Sequence, residues 1–271
     1  MRGRRRMVPK SAVAFVVDKP LSYEESQNLC QHILQKHNDE VAFTVGGTQM
    51  TGAELLKCKD DAESSLNIVD PFIEYLKCDD KKNGIKRIIL QRQHQVLEEE
   101  LVQVITKEIG SSEKKGANIE QRFLFCPMTR EQECIVLCVD TSINNQVIAF
   151  LSNDTGISGG QVETIGKSFQ EKVEKACQTC GYVSPFPNSS SVRISSVSLE
   201  ARHSDSSFAS MLCIEEYDGK KMPTNFKNPD KAEEEKVWFL GNLLMHEKNT
   251  ALPEEIREMV RNGVFKKQKR R

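Results

Sequence analysis

The chain has 271 residues, with 38 Lys and Arg against 39 Asp and Glu and a formal net charge of −1. That balance excludes a global electrostatic pull toward nucleic acid or membrane, so any basic surface must be local. A composition of 38% hydrophobic and 28% charged residues fits a soluble globular protein with a real core, and no stretch approaches the roughly 18 apolar residues of a membrane span.

The chain starts with the basic run Met1-Arg2-Gly3-Arg4-Arg5-Arg6, which lacks the long apolar stretch of a secretory signal. Ser11 to Val17 is apolar and β-branched and reads as a strand. Ser22-Tyr23-Glu24-Glu25 then supplies a capping box for a helix running to about His37. Thr51-Gly52-Ala53-Glu54 repeats the device after "FTVGG" and predicts a short helix through Leu55 and Leu56.

Ile68 to Leu76 reads as a helix, Ile85 to Leu90 as a strand, and Val96 to Ile109 as an amphipathic helix. The polar connector Ser111 to Gly116 follows. Three apolar stretches come next: Arg122 to Cys126, Cys134 to Val139 and Gln146 to Leu151. Asp140 to Asn145 forms a hairpin-type turn between the last two. Their near-continuous hydrophobicity predicts central strands covered on both faces.

A helix over Gln161 to Cys177, a Pro- and Ser-rich loop and a strand over Val192 to Leu199 lead to the stretch "SDSSFASMLC", Ser204 to Cys213. Here a polar, turn-forming run passes into an apolar helix. Further helices are expected around Val237 to His246 and Glu254 to Val260. The fold class is therefore α/β (α+β), a central mixed sheet flanked by helices. It divides into a small subdomain over 1–65, a core over 66–218, and C-terminal helices with a basic tail over 219–271.

Nine cysteines is an odd count, and most lie in apolar segments, as reduced thiols of a cytoplasmic protein do. Cys177-Gln178-Thr179-Cys180 offers only two of four zinc ligands, so no metal and no cofactor is expected. Lys86, Arg87, Arg92 and His94 form a small basic cluster without interleaved aromatics, which argues against nucleic-acid binding. The tail Lys266 to Arg271 has the composition of a nuclear-localisation segment and equally of a solvated terminus. Gly46-Gly47 and Gly159-Gly160 lack a phosphate-loop context and read as turns. Trp238 reads as core, and Ser206 and Ser207 as helix-capping serines.

From residue 66 to 218, the order of strands, helix, strand, Asp/Ser loop and buried helix resembles the ubiquitin-like-protein cysteine protease clan. That clan includes SUMO proteases, adenovirus-type proteases and bacterial effector deubiquitinases. The resemblance implies a papain-like architecture in which one strand opens with His-Trp and the next ends in Asp-Ser. A Gln stands six residues before the nucleophile, and Cys-Gly starts the buried helix. A thiolate at a helix N-terminus is thereby activated by an oriented imidazole and faced by an oxyanion hole.

Carried onto this sequence, the resemblance places Ala209 at the nucleophile position and Glu133, heading "CIVLCVD", at the His position. Asp154 is the acid, with Leu151 or Ser152 at the aligned site, and His203 takes the oxyanion position. It implies a catalytically impaired module that binds ubiquitin or a ubiquitin-like protein, with no membrane partner, in the cytoplasm, the nucleus or a host cytosol. The alternatives are an active thiol isopeptidase using Cys213, or a native Cys replaced at Ala209, with His203 or His94 as base, and an interaction protein unrelated to ubiquitin. Between Leu212 and Ile214, Cys213 reads more simply as a core thiol.

Overall fold

A computed structural model describes residues 20–45, 47–83, 85–93, 99–110, 117–222 and 225–266. The expected strand over Ser11 to Val17, the connector Ser111 to Gly116, His94 and most of the basic tail lie outside them. The first elements are α1 (Tyr23–Lys36), the hairpin β1 (Val41–Val45) and β2 (Thr48–Thr51), α2 (Gly52–Lys57) and α3 (Ala62–Ser65). Both capping boxes read from the sequence are formed, Ser22 with Glu25 and Thr51 with Glu54. They start α1 and α2 where the spacing predicts.

After α4 (Val69–Asn83) come β3 (Arg87–Ile89), α5 (Glu99–Ile109), β4 (Phe123–Arg130), β5 (Glu133–Asp140), β6 (Gln146–Leu151), α6 (Gly159–Cys180) and β7 (Arg193–Ser198). A 3-10 turn over His203–Asp205 then runs into α7 (Ser206–Glu216), followed by α8 (Pro229–Leu244) and α9 (Glu254–Arg261). α8 begins two turns before the apolar pattern at Val237, because its start is set by the Asn228 cap and by Pro229 in the first turn. The residues of those turns are mostly charged and carry no helical stripe.

Strands β3 to β7 form one five-stranded mixed sheet in sequence order. The β3/β4 and β6/β7 pairs are parallel, while β4/β5 and β5/β6 are antiparallel. Every residue of the central strand β5 is buried, as a strand covered on both faces requires. Its alternate residues supply two cores. Cys134, Val136 and Cys138 join the cluster under α4, α7 and α8, and Ile135, Leu137 and Val139 join the cluster under α5 and α6.

The N-terminal elements are tied to the C-terminal helices by buried hydrogen bonds. Leu21 N donates to Asn242 Oδ1 at 2.9 Å, and Trp238 Nε1 donates to Leu21 O at 2.7 Å. Asn249 accepts from Thr44 N at 2.9 Å and donates to Ala42 O at 3.1 Å, binding the β1 strand. Gly241 lets α8 approach α1 closely, since a Cβ there would lie 2.5 Å from Ser26 Cβ and 2.8 Å from Ser26 Cα. Among the described residues, no helix is long and apolar enough to cross a membrane.

Two stability tests follow from these contacts. At an exposed helix position Gly→Ala stabilises by up to about 1 kcal/mol, but at Gly241 the new methyl meets Ser26. Gly241→Ala should therefore destabilise by about 1–3 kcal/mol, read as a lower urea midpoint with unchanged slope. Arg87 and Asp80 form a buried ion pair, Arg87 Nε to Asp80 Oδ2 at 2.6 Å. Removing Arg87 alone (Arg87→Met) should cost about 3–5 kcal/mol, and adding Asp80→Asn should recover part of that loss.

Candidate functional site

The site is built around α7, whose residues from Ser206 to Ile214 are all buried. A helix apolar or small on every side has no solvent face and belongs at the centre of a fold. The serines of this segment satisfy its neighbours. Ser206 Oγ accepts from Cys134 N at 3.1 Å, Ser210 Oγ donates to Cys134 O at 3.0 Å, and Ser65 Oγ donates to Ser207 Oγ at 2.8 Å. α7 is thus fixed to β5 on one side and to α3 on the other.

The ends of a buried helix need partners for their free backbone groups and charges. Asp205, fully buried before the first turn, makes no capping bond; its carboxylate accepts from Lys236 Nζ at 3.0 Å and Arg202 Nε at 3.1 Å. At the other end Arg87 Nη1 donates to Ile214 O at 2.6 Å and Glu215 O at 2.9 Å. An anion lies at the positive end and a cation at the negative end, as the helix dipole favours.

At the pole where α7 begins, four side chains from three segments meet. Glu133, the first residue of β5, is 1% exposed. Its Oε1 accepts from Ser152 N at 3.2 Å and from the Ser152 hydroxyl, and its Oε2 accepts from Thr155 Oγ1 at 2.7 Å. His203 Nδ1 lies 3.6 Å from Glu133 Oε2. The carboxylate is therefore saturated with donors, three of its bonds coming from the segment that leaves β6.

Of the positions expected from the sequence, Glu133 and His203 come together and Asp154 does not join them. Asp154 is exposed in the turn after β6, and the side chain meeting Glu133 is that of Ser152, immediately after the strand. Ala209 is 2% exposed in the second turn of α7, whose first residue is Ser206. Cys213 is fully buried, and burial pushes its thiol far above the ordinary range. Cys134, against Ser210, is likewise pushed up to about 12 by burial. All nine cysteines are free, and among the described residues no cluster of three or more His, Cys, Asp or Glu is placed to hold a metal.

Ser152 was one of the two residues placed at the aligned acid site, whereas Thr155 and Lys236 carry no signal in the sequence that marks them as neighbours of Glu133 or Asp205. Ser206 carried a partial one, because a Ser in "SDSS" before an apolar run marks a helix start. Glu200, in the loop before the 3-10 turn, has φ of 52°, a left-handed conformation that only a minority of non-glycine residues adopt.

No protein-family model and no curated protein matches the chain. Solved structures do. SUMO protease Ulp1 with its catalytic cysteine oxidized to a sulfinic acid is 12% identical with a TM-score of 0.56, over 83% of this chain and 95% of that one. The Ulp1-like SUMO protease catalytic domain of Chaetomium thermophilum is 11% identical with a TM-score of 0.56, over 92% of this chain and 98% of that one. At such identity the likeness is one of architecture: the five-stranded mixed sheet and its flanking helices have the fold of a SUMO-protease catalytic domain.

Proposed function

We propose that the chain is a catalytically impaired protease-like module that binds ubiquitin or a ubiquitin-like protein at the pole where β5 begins, β6 ends and α7 begins. The observation that carries this reading is Glu133, a buried carboxylate with both oxygens occupied, at the strand opening where the clan resemblance calls for an imidazole. Such a group holds no proton-accepting nitrogen with which to activate a nucleophile.

The remaining positions follow from where the elements start and stop. The buried helix starts with Ser206-Ser207 in place of Cys-Gly, and the strand after β5 ends at Leu151 and is followed by Ser152-Asn153 in place of Asp-Ser. Six residues before Ser206 stands Glu200 in place of Gln. We therefore assign the nucleophile position to Ser206 rather than Ala209, the acid position to Ser152 rather than Asp154, and the oxyanion position to Glu200 rather than His203.

Each exchange removes a catalytic property. A hydroxyl replaces the thiol, and Ser206 Oγ is held by a backbone N–H at 2 % residue exposure. A carboxylate replaces an amide donor where negative charge would develop, and a carboxylate is acceptor-only. The donor and acceptor of the base–acid pair are inverted: Ser152 donates and Glu133 accepts. One hydrogen-bonded link between β5 and β6 survives, with no imidazole at the strand opening.

Ubiquitin and SUMO carrying C-terminal electrophiles should bind the protein without forming an adduct. Any residual hydrolysis should lie roughly 10⁶-fold below that of an intact triad. Installing Glu133→His, Ser152→Asp, Ser206→Cys and Glu200→Gln together should produce an adduct visible by mass. The same set with Ala209→Cys in place of Ser206→Cys should not. Labelling of the unaltered protein would overturn the impaired reading, and labelling only of the Ala209→Cys set would return the nucleophile position to 209.

A further inference from the structure

Among the described residues, three cations around this pole are paired. Arg92 Nη2 lies 3.1 Å from Asp70 Oδ2, and Arg202 Nε and Lys236 Nζ lie 3.1 and 3.0 Å from the two oxygens of Asp205. Arg130, the last residue of β4, has a buried Nε with no hydrogen-bond partner. It stands directly opposite Glu133 in the β4/β5 ladder, so the two side chains leave the same face with their Cβ atoms about 5 Å apart.

Proximity to Glu133 does not satisfy Arg130, because that carboxylate is turned to Ser152 and Thr155. The hairpin that presents Arg130 is itself held in an uncommon shape, with φ of 51° at Glu131 and 64° at Gln132, the pattern of a type I′ turn without its usual Asn or Gly. The tip of that hairpin touches the loop leading to α6: a Cβ on Gly156 would come within 3.3 Å of Glu131 Oε2.

We infer that Arg130 is the seat of a carboxylate on the bound partner, and that this carboxylate is the free C-terminus of the ubiquitin-like protein. The inference rests on the reading given under Proposed function and deepens it. A guanidinium presents parallel N–H groups that match a planar carboxylate and do not match the amide of a conjugate. A module without cleavage chemistry and with an Arg130 Nε that is buried and unpartnered beside Glu133 selects the processed, unconjugated form of its partner.

The test uses the full chain and two forms each of ubiquitin and SUMO, one ending in the native carboxylate and one in a C-terminal carboxamide, compared by titration calorimetry. The acid form of the partner should bind about tenfold more tightly than its carboxamide, the increment shrinking with added salt. Arg130→Gln should bring the acid down to the carboxamide's affinity and leave the carboxamide unchanged, which also reports that the variant is folded. Equal binding of acid and carboxamide by the unaltered chain would overturn the inference while leaving the binding reading intact. Equal weakening of both forms by Arg130→Gln would do the same. Loss of the increment in millimolar inorganic phosphate but not in equal acetate would reassign Arg130 to a phosphate-type anion and overturn it. Binding of neither form would overturn both readings.

Discussion

Burying a whole helix at the centre of a mixed sheet is the constraint on which the rest of this structure depends. α7 is buried from Ser206 to Ile214, so its start and the polar side chains of that stretch need partners inside the protein. Asp205 with Lys236 and Arg202 closes one end, and Arg87 with Asp80 closes the other. These partners come from α8, β3 and α4, which makes the helix a junction for elements far apart in the chain. Burial raises the Asp80 carboxyl even beside Arg87, a measure of how dry that end is.

The same burial shapes the chemistry at the pole. Small serines bring α7 against β5 closely enough for Ser206 and Ser210 to bond both backbone groups of Cys134. That contact fixes the start of the helix beside the start of the strand, where Glu133 meets Ser152 and Thr155. Glu133 and Ser152 link the start of β5 to the segment leaving β6 through a buried hydrogen bond. Such a link is stabilising, because a satisfied buried carboxylate costs far less than an unsatisfied one.

Much of the fold was legible in local patterns. The capping boxes at Ser22 and Thr51, the continuous apolar run of β5 and the stripe of α5 each depend on residues within one or two turns of one another. α8 was legible only from Val237, because its charged first turns have no apolar period to read. The site was partly legible. Glu133 and His203, both singled out in the sequence, lie 3.6 Å apart, whereas the contacts of Ser152 and Thr155 with Glu133 depend on where β6 ends, which loop character does not reveal to within one turn.

By itself the sequence determined the element order and the mixed α/β class, since these rest on periodicity and on which residue types are present. Tertiary structure alone decided that Glu133 is answered by Ser152 and Thr155, that Ser206 is the first residue of the buried helix, and that Arg130 Nε is buried without a partner. Those pairings join β4, β5, β6 and α7 across separations that no local pattern encodes. Side chains at the ends of strands meet only after the sheet has set the register that brings them together.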